Sequence, residues 1–339
     1  VGSEMCIRDR DIPDNKTIWK IEGNSKLTPN NDVTLIWKNN QGLTFEKIIK
    51  IDNQYLFTIE QKIKNSSDKI YSFYPYAQII RTKIPEIIDF FILHEGPLGV
   101  LDDQLIEKDY KDILDKKYSK NANNGFLGIT DKYWLTSIIP QKNKKFRADF
   151  EYNEKFKVNY IETDSYDSKP NTQISNIVNV VVAAKEVNVI DGYNESLGLK
   201  KFDLVIDWGW FYWIVKPLFF LNDYFFKLAG NYGIAIILIT VCLRLAFFPL
   251  NNYAFKSMSR MKLVQPEMAR LKEIHKDDKM KLQQAMMQLY KKEGINPVSG
   301  CLPILISIPF FFAIYKMLFV TIEMRHQPFF GWIKDLSEK

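Results

Sequence analysis

Tyr232–Leu250 reads YGIAIILITVCLRLAFFPL, and Val298–Val320 reads VSGCLPILISIPFFFAIYKMLFV. At about 1.5 Å of rise per residue, each is about as long as the roughly 20 residues a bilayer core requires, so both predict membrane-spanning helices. Between them, residues 255–293 carry ten Lys or Arg against five Asp or Glu. A short loop with that excess belongs in the cytoplasm, which puts the segments flanking the two spans outside it.

Arg244 interrupts the first span with no acid near it in sequence. A central Arg costs about 2.5–3.5 kcal/mol on insertion scales. Two readings are open. Six residues from Leu250, and so about 9 Å deep, the side chain can snorkel to the headgroups. Alternatively it borders a hydrated cavity, because Gly233, Ile237, Thr240 and Asn251 share its helical face, and Gly300, Pro303 and Ser307 form a similar small or polar stripe on the second span.

The 339 residues are 46% apolar and 14% aromatic, with a slightly negative mean hydropathy. That balance fits a large water-soluble part joined to a smaller membrane part. The net charge is +6. Its basic excess is interleaved with acids and apolar residues at helical spacing, which argues against nucleic acid as a partner. Cys242 and Cys301 fall inside the apolar spans, where they read as small hydrophobes, and the third cysteine is Cys6. None lies between Asp11 and Asp207, so that region rests on its own core, for which about 200 residues suffice.

From Val33 to about Arg81 the runs VTLIWK, LTFEKIIKI, QYLFTIEQKI and IYSFYPYAQII are separated by turn chemistry, and predict an antiparallel meander. Residues 86–124 are mixed, with a break at Glu95-Gly96-Pro97-Leu98-Gly99. Strand-like runs return at GFLGIT, YWLTSIIP, KFRADFEY, KVNYIET and ISNIVNVVVAAKEVNVI. The expected fold is a β-rich outer domain, a β-sandwich, over residues 11–205, followed by an α-helical membrane region. Residues 1–10, without apolar core or periodicity, read as a non-native or disordered leader. No phosphate loop, zinc motif, nucleophile elbow or CxxC appears, and His94 has no partner motif, so no catalytic residue, cofactor or metal is expected.

Residues 206–228 hold ten aromatics between Trp208 and Phe226, with Lys216, Asp223 and Lys227 at spacings of seven and four. They predict an amphipathic helix at the outer membrane interface, its polar face narrow. In 255–293, Met258, Met261, Val264, Met268 and Leu271, then Leu282, Met286 and Leu289, recur every three or four residues. That is a helical hairpin turning at His275–Asp278, with Pro266 bending or starting its first arm and Gly294 with Pro297 ending the second. Its Met face serves either helix packing or an adaptable binding surface.

Four stretches carry a family resemblance: GNYGIAIILITVCLRLAFFPL, SMSRMKLVQPEMARLK, DDKMKLQQAMMQLYKKEGINPVSGCLPILISIPFFFAIYKML and EMRHQPFFGWIKDLS. Together they closely resemble the YidC-type membrane protein insertases, relatives of the Oxa and Alb insertases, over about residues 205–337. The outer part resembles the periplasmic domain of the Gram-negative members. The resemblance implies a multi-pass bacterial inner-membrane protein with a hydrophilic groove holding Arg244, Thr240, Gly233, Ser307 and Gly300. It implies no catalysis. Spans are expected at 231–251 and 298–320, with 321–339 a truncated periplasmic segment. The cytoplasmic hairpin 255–293 would meet substrates through Met258, Met261, Met268 and Met286. Implied partners are nascent membrane proteins, the phospholipid bilayer, and the Sec translocon and ribosome. The family has five core spans and an N-terminal span, so the chain reads as part of a longer protein. It carries Ser307 where some relatives have a larger polar residue, and Lys316 on the opposite face, near enough to the outer end to snorkel. The rival readings are a membrane-tethered carbohydrate-binding or sugar-modifying β-sandwich, and a two-span signal transducer with the hairpin as its output.

Overall fold

The computed structural model describes residues 12–14, 16–83, 93–276, 278–294 and 302–337. The chain divides into two compact units, residues 1–207 with 320–322 and residues 208–319 with 323–339. In the first, the strands are β1 (Lys20–Glu22), β2 (Val33–Lys38), β3 (Leu43–Ile51), β4 (Leu56–Asn65), β5 (Tyr71–Phe73), β6 (Tyr76–Arg81), β7 (Gly96–Leu101) and β8 (Gln104–Glu107). After the short helix α1 (Tyr110–Asp115) come β9 (Tyr118–Ala122), β10 (Gly125–Thr130), β11 (Trp134–Ile139), β12 (Phe146–Asn153), β13 (Lys155–Glu162), β14 (Tyr166–Ser168) and β15 (Gln173–Ala184). Helix α2 (Val187–Ser196) follows.

Nine strands pair in the order β1-β2-β3-β4-β15-β11-β10-β7-β8, four as β6-β13-β12-β9, and two as β14-β5. Side chains alternate across each strand, so the larger sheet turns Leu127, Ile138, Val178 and Val180 toward Phe146, Phe150, Val158 and Tyr160 of the four-stranded sheet. One apolar core between two sheets makes this a β-sandwich.

The meander expected from Val33 holds through β2–β4 and then stops. Pro75 offers no N–H to a ladder and breaks IYSFYPYAQII into β5 and β6, which join different sheets, while β4 takes β15 as its next neighbour. The expected break at residues 95–99 is instead β7, buried at all six positions. Its glycines mark close backbone approach: a β-carbon on Gly99 would stand 2.7 Å from the Phe126 carbonyl oxygen. The tail of the last β-rich run is also a correction. Val187, Ile190 and Tyr193 are buried at a spacing of three, the signature of α2 rather than of more strand.

The second unit contains α3 (Tyr212–Ala229), α4 (Tyr232–Leu263), α5 (Gln265–Ile274), α6 (Lys279–Lys292) and α7 (Leu302–Val320). Gly230 ends α3 at φ +66°, and Asn231 caps α4 by accepting the Ile234 N–H at 3.2 Å. Helix α4 runs 32 residues, about 48 Å, and so continues well beyond Leu250 into what the sequence assigned to the hairpin. It ends at Leu263, and after Val264 the next helix, α5, carries Pro266 in its first turn. Asp278 caps α6 by accepting the Lys281 N–H at 3.0 Å. Gly294 at φ +62° follows its end, and Pro297 lies outside the described residues. Among the described residues, α4 and α7 are the two helices long and apolar enough to cross a bilayer.

Of the narrow polar face expected of α3, only Asp223 is buried, while Lys216 is half-buried and Lys227 exposed. Asp223 and Asn222 are buried, and Lys227 reaches Asp223 at 2.7 Å, an ion pair that lets the carboxylate leave water. The open side carries Trp213, Phe220 and Tyr224.

Candidate functional site

Helices α4 and α7 touch at the rings of Phe247 and Phe310, whose centroids are 5.0 Å apart and mark their seam. They run antiparallel, since the start of α4, at Gly233, lies against Phe329 beyond the end of α7. Arg244 and Ser307 each precede their seam residue by three. In antiparallel helices that puts both on the same flank of the seam, separated by about 9 Å along the axis.

Arg244 is exposed, and among the described residues no hydrogen bond or ion pair engages it. Thr240, one turn away and also exposed, donates its hydroxyl to the Ile236 carbonyl at 2.7 Å, which satisfies it within its own helix. The inward face of α4 is Ala235 and Ile239, both fully buried. Arg244 stands about 140° around the helix from Ile239.

The remaining candidates do not join that flank as one set. Gly233 is buried under the ring of Phe329 and borders no open space. Gly300 lies outside the described residues. Lys316, expected to snorkel, is 2% exposed, its stem packed over Gly209.

In the hairpin, Met258 is exposed while Met261, Met268 and Met286 are half-buried. The Tyr290 hydroxyl lies 3.8 Å from Met268 Sδ, a contact between α6 and α5. Met280 and Met287, which the periodicity passed over, are more open than any of those four. Hydrogen bonds from Lys281, chiefly its backbone N–H, hold the Asp278 carboxyl below the usual carboxylate range at the turn.

Sequence reading also missed Asn231 and Phe329. Asn231 Nδ2 donates to the carbonyls of Pro328 and Phe329, each at 3.3 Å, while its Oδ1 caps α4. An Asn just before an apolar run is an N-cap signal, but nothing in sequence links it to a segment 97 residues away.

A β-sandwich joined to two apolar helices, one with an unpaired Arg, is the architecture of a membrane protein with a large water-soluble domain. Residues 4–221 match the family described as YidC periplasmic domain, and residues 224–339 the family described as 60Kd inner membrane protein. The chain belongs to the YidC family of inner membrane proteins. It is 64% identical over 329 residues to the membrane protein insertase YidC of Pelagibacter ubique, covering 97% of this chain and 59% of that relative. It is 47% identical over 341 residues to that of Nitrobacter hamburgensis, covering 96% and 56%. The crystal structure of an active YidC insertase with its first transmembrane domain resolved is 18% identical, covers 99% of this chain and 67% of that one, and superposes with a TM-score of 0.36. The chain spans little more than half the length of the curated relatives it matches.

Proposed function

We propose that the chain is the periplasmic domain and first core spans of a membrane protein insertase, a protein without catalytic chemistry that moves segments of other proteins into the lipid. In this reading α4 and α7 cross the inner membrane, and Arg244, Thr240 and Ser307 face a hydrophilic groove. The Arg244 cation, in surroundings of low dielectric, attracts the acidic residues of an incoming tail far more strongly than it does in water. The substrate's apolar helix then passes into lipid beside the groove, driven by burial of its side chains. The hairpin methionines receive the nascent chain on the cytoplasmic side, with the ribosome and the Sec translocon as candidate partners.

The observation that carries the reading is Arg244 itself, exposed and without a hydrogen bond or ion pair among the described residues, in an otherwise apolar stretch. The test compares Arg244→Ala with Arg244→Lys in the full-length protein, reading membrane insertion of a single-span substrate with an acidic tail. Loss with Ala and retention with Lys is expected. Equal insertion by the Ala variant and the wild type removes the electrostatic role.

A further inference from the structure

The segment that follows α7 has no part in the function proposed above, and it closes on itself at three levels. At its base, Asp335 accepts the His326 backbone N–H at 3.1 Å, and its Oδ2 lies 2.7 Å from His326 Nδ1. One step up, the Leu336 N–H donates to the Gln327 carbonyl at 2.9 Å. Toward the tip, Phe329 N–H donates to the Ile333 carbonyl at 3.1 Å and Ile333 N–H to the Phe330 carbonyl at 3.3 Å. Phe330-Gly331-Trp332-Ile333 is therefore a four-residue turn. Gly331, at its second position, has φ +63°, and Trp332 is not among the residues of positive φ. Only a type II′ turn combines those two, and glycine is the residue it favours.

The two ends of this hairpin differ in character. The base is polar: His326, Asp335 and Ser337. The tip presents Trp332 at 89% exposure, Phe330 at 60% and Ile333 at 37%. On a turn held shut by backbone hydrogen bonds, Trp332 and Phe330 are left mostly open and Ile333 partly so.

Helix α4 fixes the height of the tip. Phe329 packs its ring on Gly233, and Asn231 holds the carbonyls of residues 328 and 329. Gly233 is the second residue of α4, so the ring sits within about 3 Å of the level at which the helix begins. Gly331 is two residues further on, within about 7 Å. The polar layer outside the hydrocarbon of one leaflet is itself about 5–8 Å thick. If α4 spans, the tip lies in that layer, where Trp and other aromatic rings are most favoured.

We propose that residues 326–336 form a lipid anchor, with Phe330, Trp332 and Ile333 seated at the headgroup–acyl boundary of the outer leaflet and the His326–Asp335 base in water. The occupant is the phospholipid surface, and Lys334, exposed within the hairpin, suits anionic headgroups. The inference rests on α4 crossing the membrane, and the test separates the two. The full-length protein, with Cys6, Cys242 and Cys301 replaced by serine, is reconstituted in vesicles of phosphatidylethanolamine and phosphatidylglycerol. One nitroxide label at a time is placed through Phe330→Cys, Trp332→Cys, Ser337→Cys or Leu245→Cys, so that the other tip residues remain. Collision with oxygen, relative to a water-soluble nickel chelate, reports depth. The ratio at residues 330 and 332 is expected to be several-fold above that at 337 and below that at 245. Residues 330 and 332 as aqueous as 337, with 245 deep, overturn the anchor and leave the span intact. An aqueous 245 overturns the span, and the anchor with it.

Discussion

The ring of Phe329 occupies the place where a β-carbon on residue 233 would stand, and it is pinned there by the two carbonyls that Asn231 holds. Alanine in a helix interior is worth about 1 kcal/mol over glycine, an upper bound at Gly233, the second residue of α4. Overpacking a filled site costs about 1–3 kcal/mol, and here the neighbour is a ring on a tethered backbone rather than a loose chain end. Gly233→Ala is therefore expected to lower the thermal midpoint of the detergent-solubilised chain. In a Phe329→Ala background the same change should be neutral or stabilising, and that reversal in a double-mutant cycle identifies the clash as the cause.

Within the sandwich, Arg81 grips Asp131 with its two terminal guanidinium nitrogens, the longer contact at 2.6 Å, and donates to the Tyr110 hydroxyl at 2.6 Å. Chiefly through the hydrogen bond to Asp131, the guanidinium is held above its usual value. Both charged side chains are about a quarter exposed, so Asp131→Asn is expected to cost toward the lower end of the about 1.5–3 kcal/mol typical of charged hydrogen bonds. Arg81→Lys should not be conservative, because an ammonium cannot reproduce the fork. Denaturant midpoints followed by circular dichroism of the β signal measure both.

Burial pushes the hydroxyls of Tyr110, Tyr160 and Tyr193 above their ordinary value of 10, with Glu162 reinforcing the shift at Tyr160 and Asp52 at Tyr193. A raised folded value means the unfolded chain releases its protons first. The stability these residues add is thus fully present below about pH 10 and is lost as the pH climbs through it. The sandwich is expected to be base-labile from about pH 10 upward. Tyr193→Phe removes a 2.8 Å hydrogen bond to Asp52, and should cost about 0.5–1.5 kcal/mol at neutral pH while flattening the alkaline slope. An unchanged slope would refute the assignment.

Fold class was legible because two periodicities are plain in the chain. VTLIWK and LTFEKIIKI alternate and became β2 and β3 residue for residue, and the two long apolar runs became parts of α4 and α7. Local chemistry misled where tertiary contact decided. Gly96–Leu101 looks like a turn, yet it lies deep in the large sheet because its glycines admit neighbouring backbone. In α3 the spacing of Lys216, Asp223 and Lys227 located a polar face but not that packing buries Asp223 alone of the three, since burial depends on what packs against the helix. The stripe through Gly233 and Arg244 shows the same limit. Helical geometry groups the two on one face, while Phe329, nearly a hundred residues away, covers the first and leaves the second open.

Asp335 closes the base of the hairpin that carries Trp332, and hydrogen bonds from Ser337 with help from His326 hold its carboxyl down to about 2. A depressed folded value means that the closing interaction is present above the ordinary carboxyl value of 3.8 and is lost as the pH falls toward 2. A nitroxide at Trp332→Cys in the reconstituted protein should therefore show an ordered spectrum from neutral pH down to about pH 4, and a progressively mobile one below it. Asp335→Ala removes the acceptor for the His326 N–H, the Ser337 N–H and the Ser337 hydroxyl together. Its label should already be mobile at neutral pH and insensitive to acid. If the acid transition survives in that variant, another group closes the hairpin, and the carboxylate is a bystander.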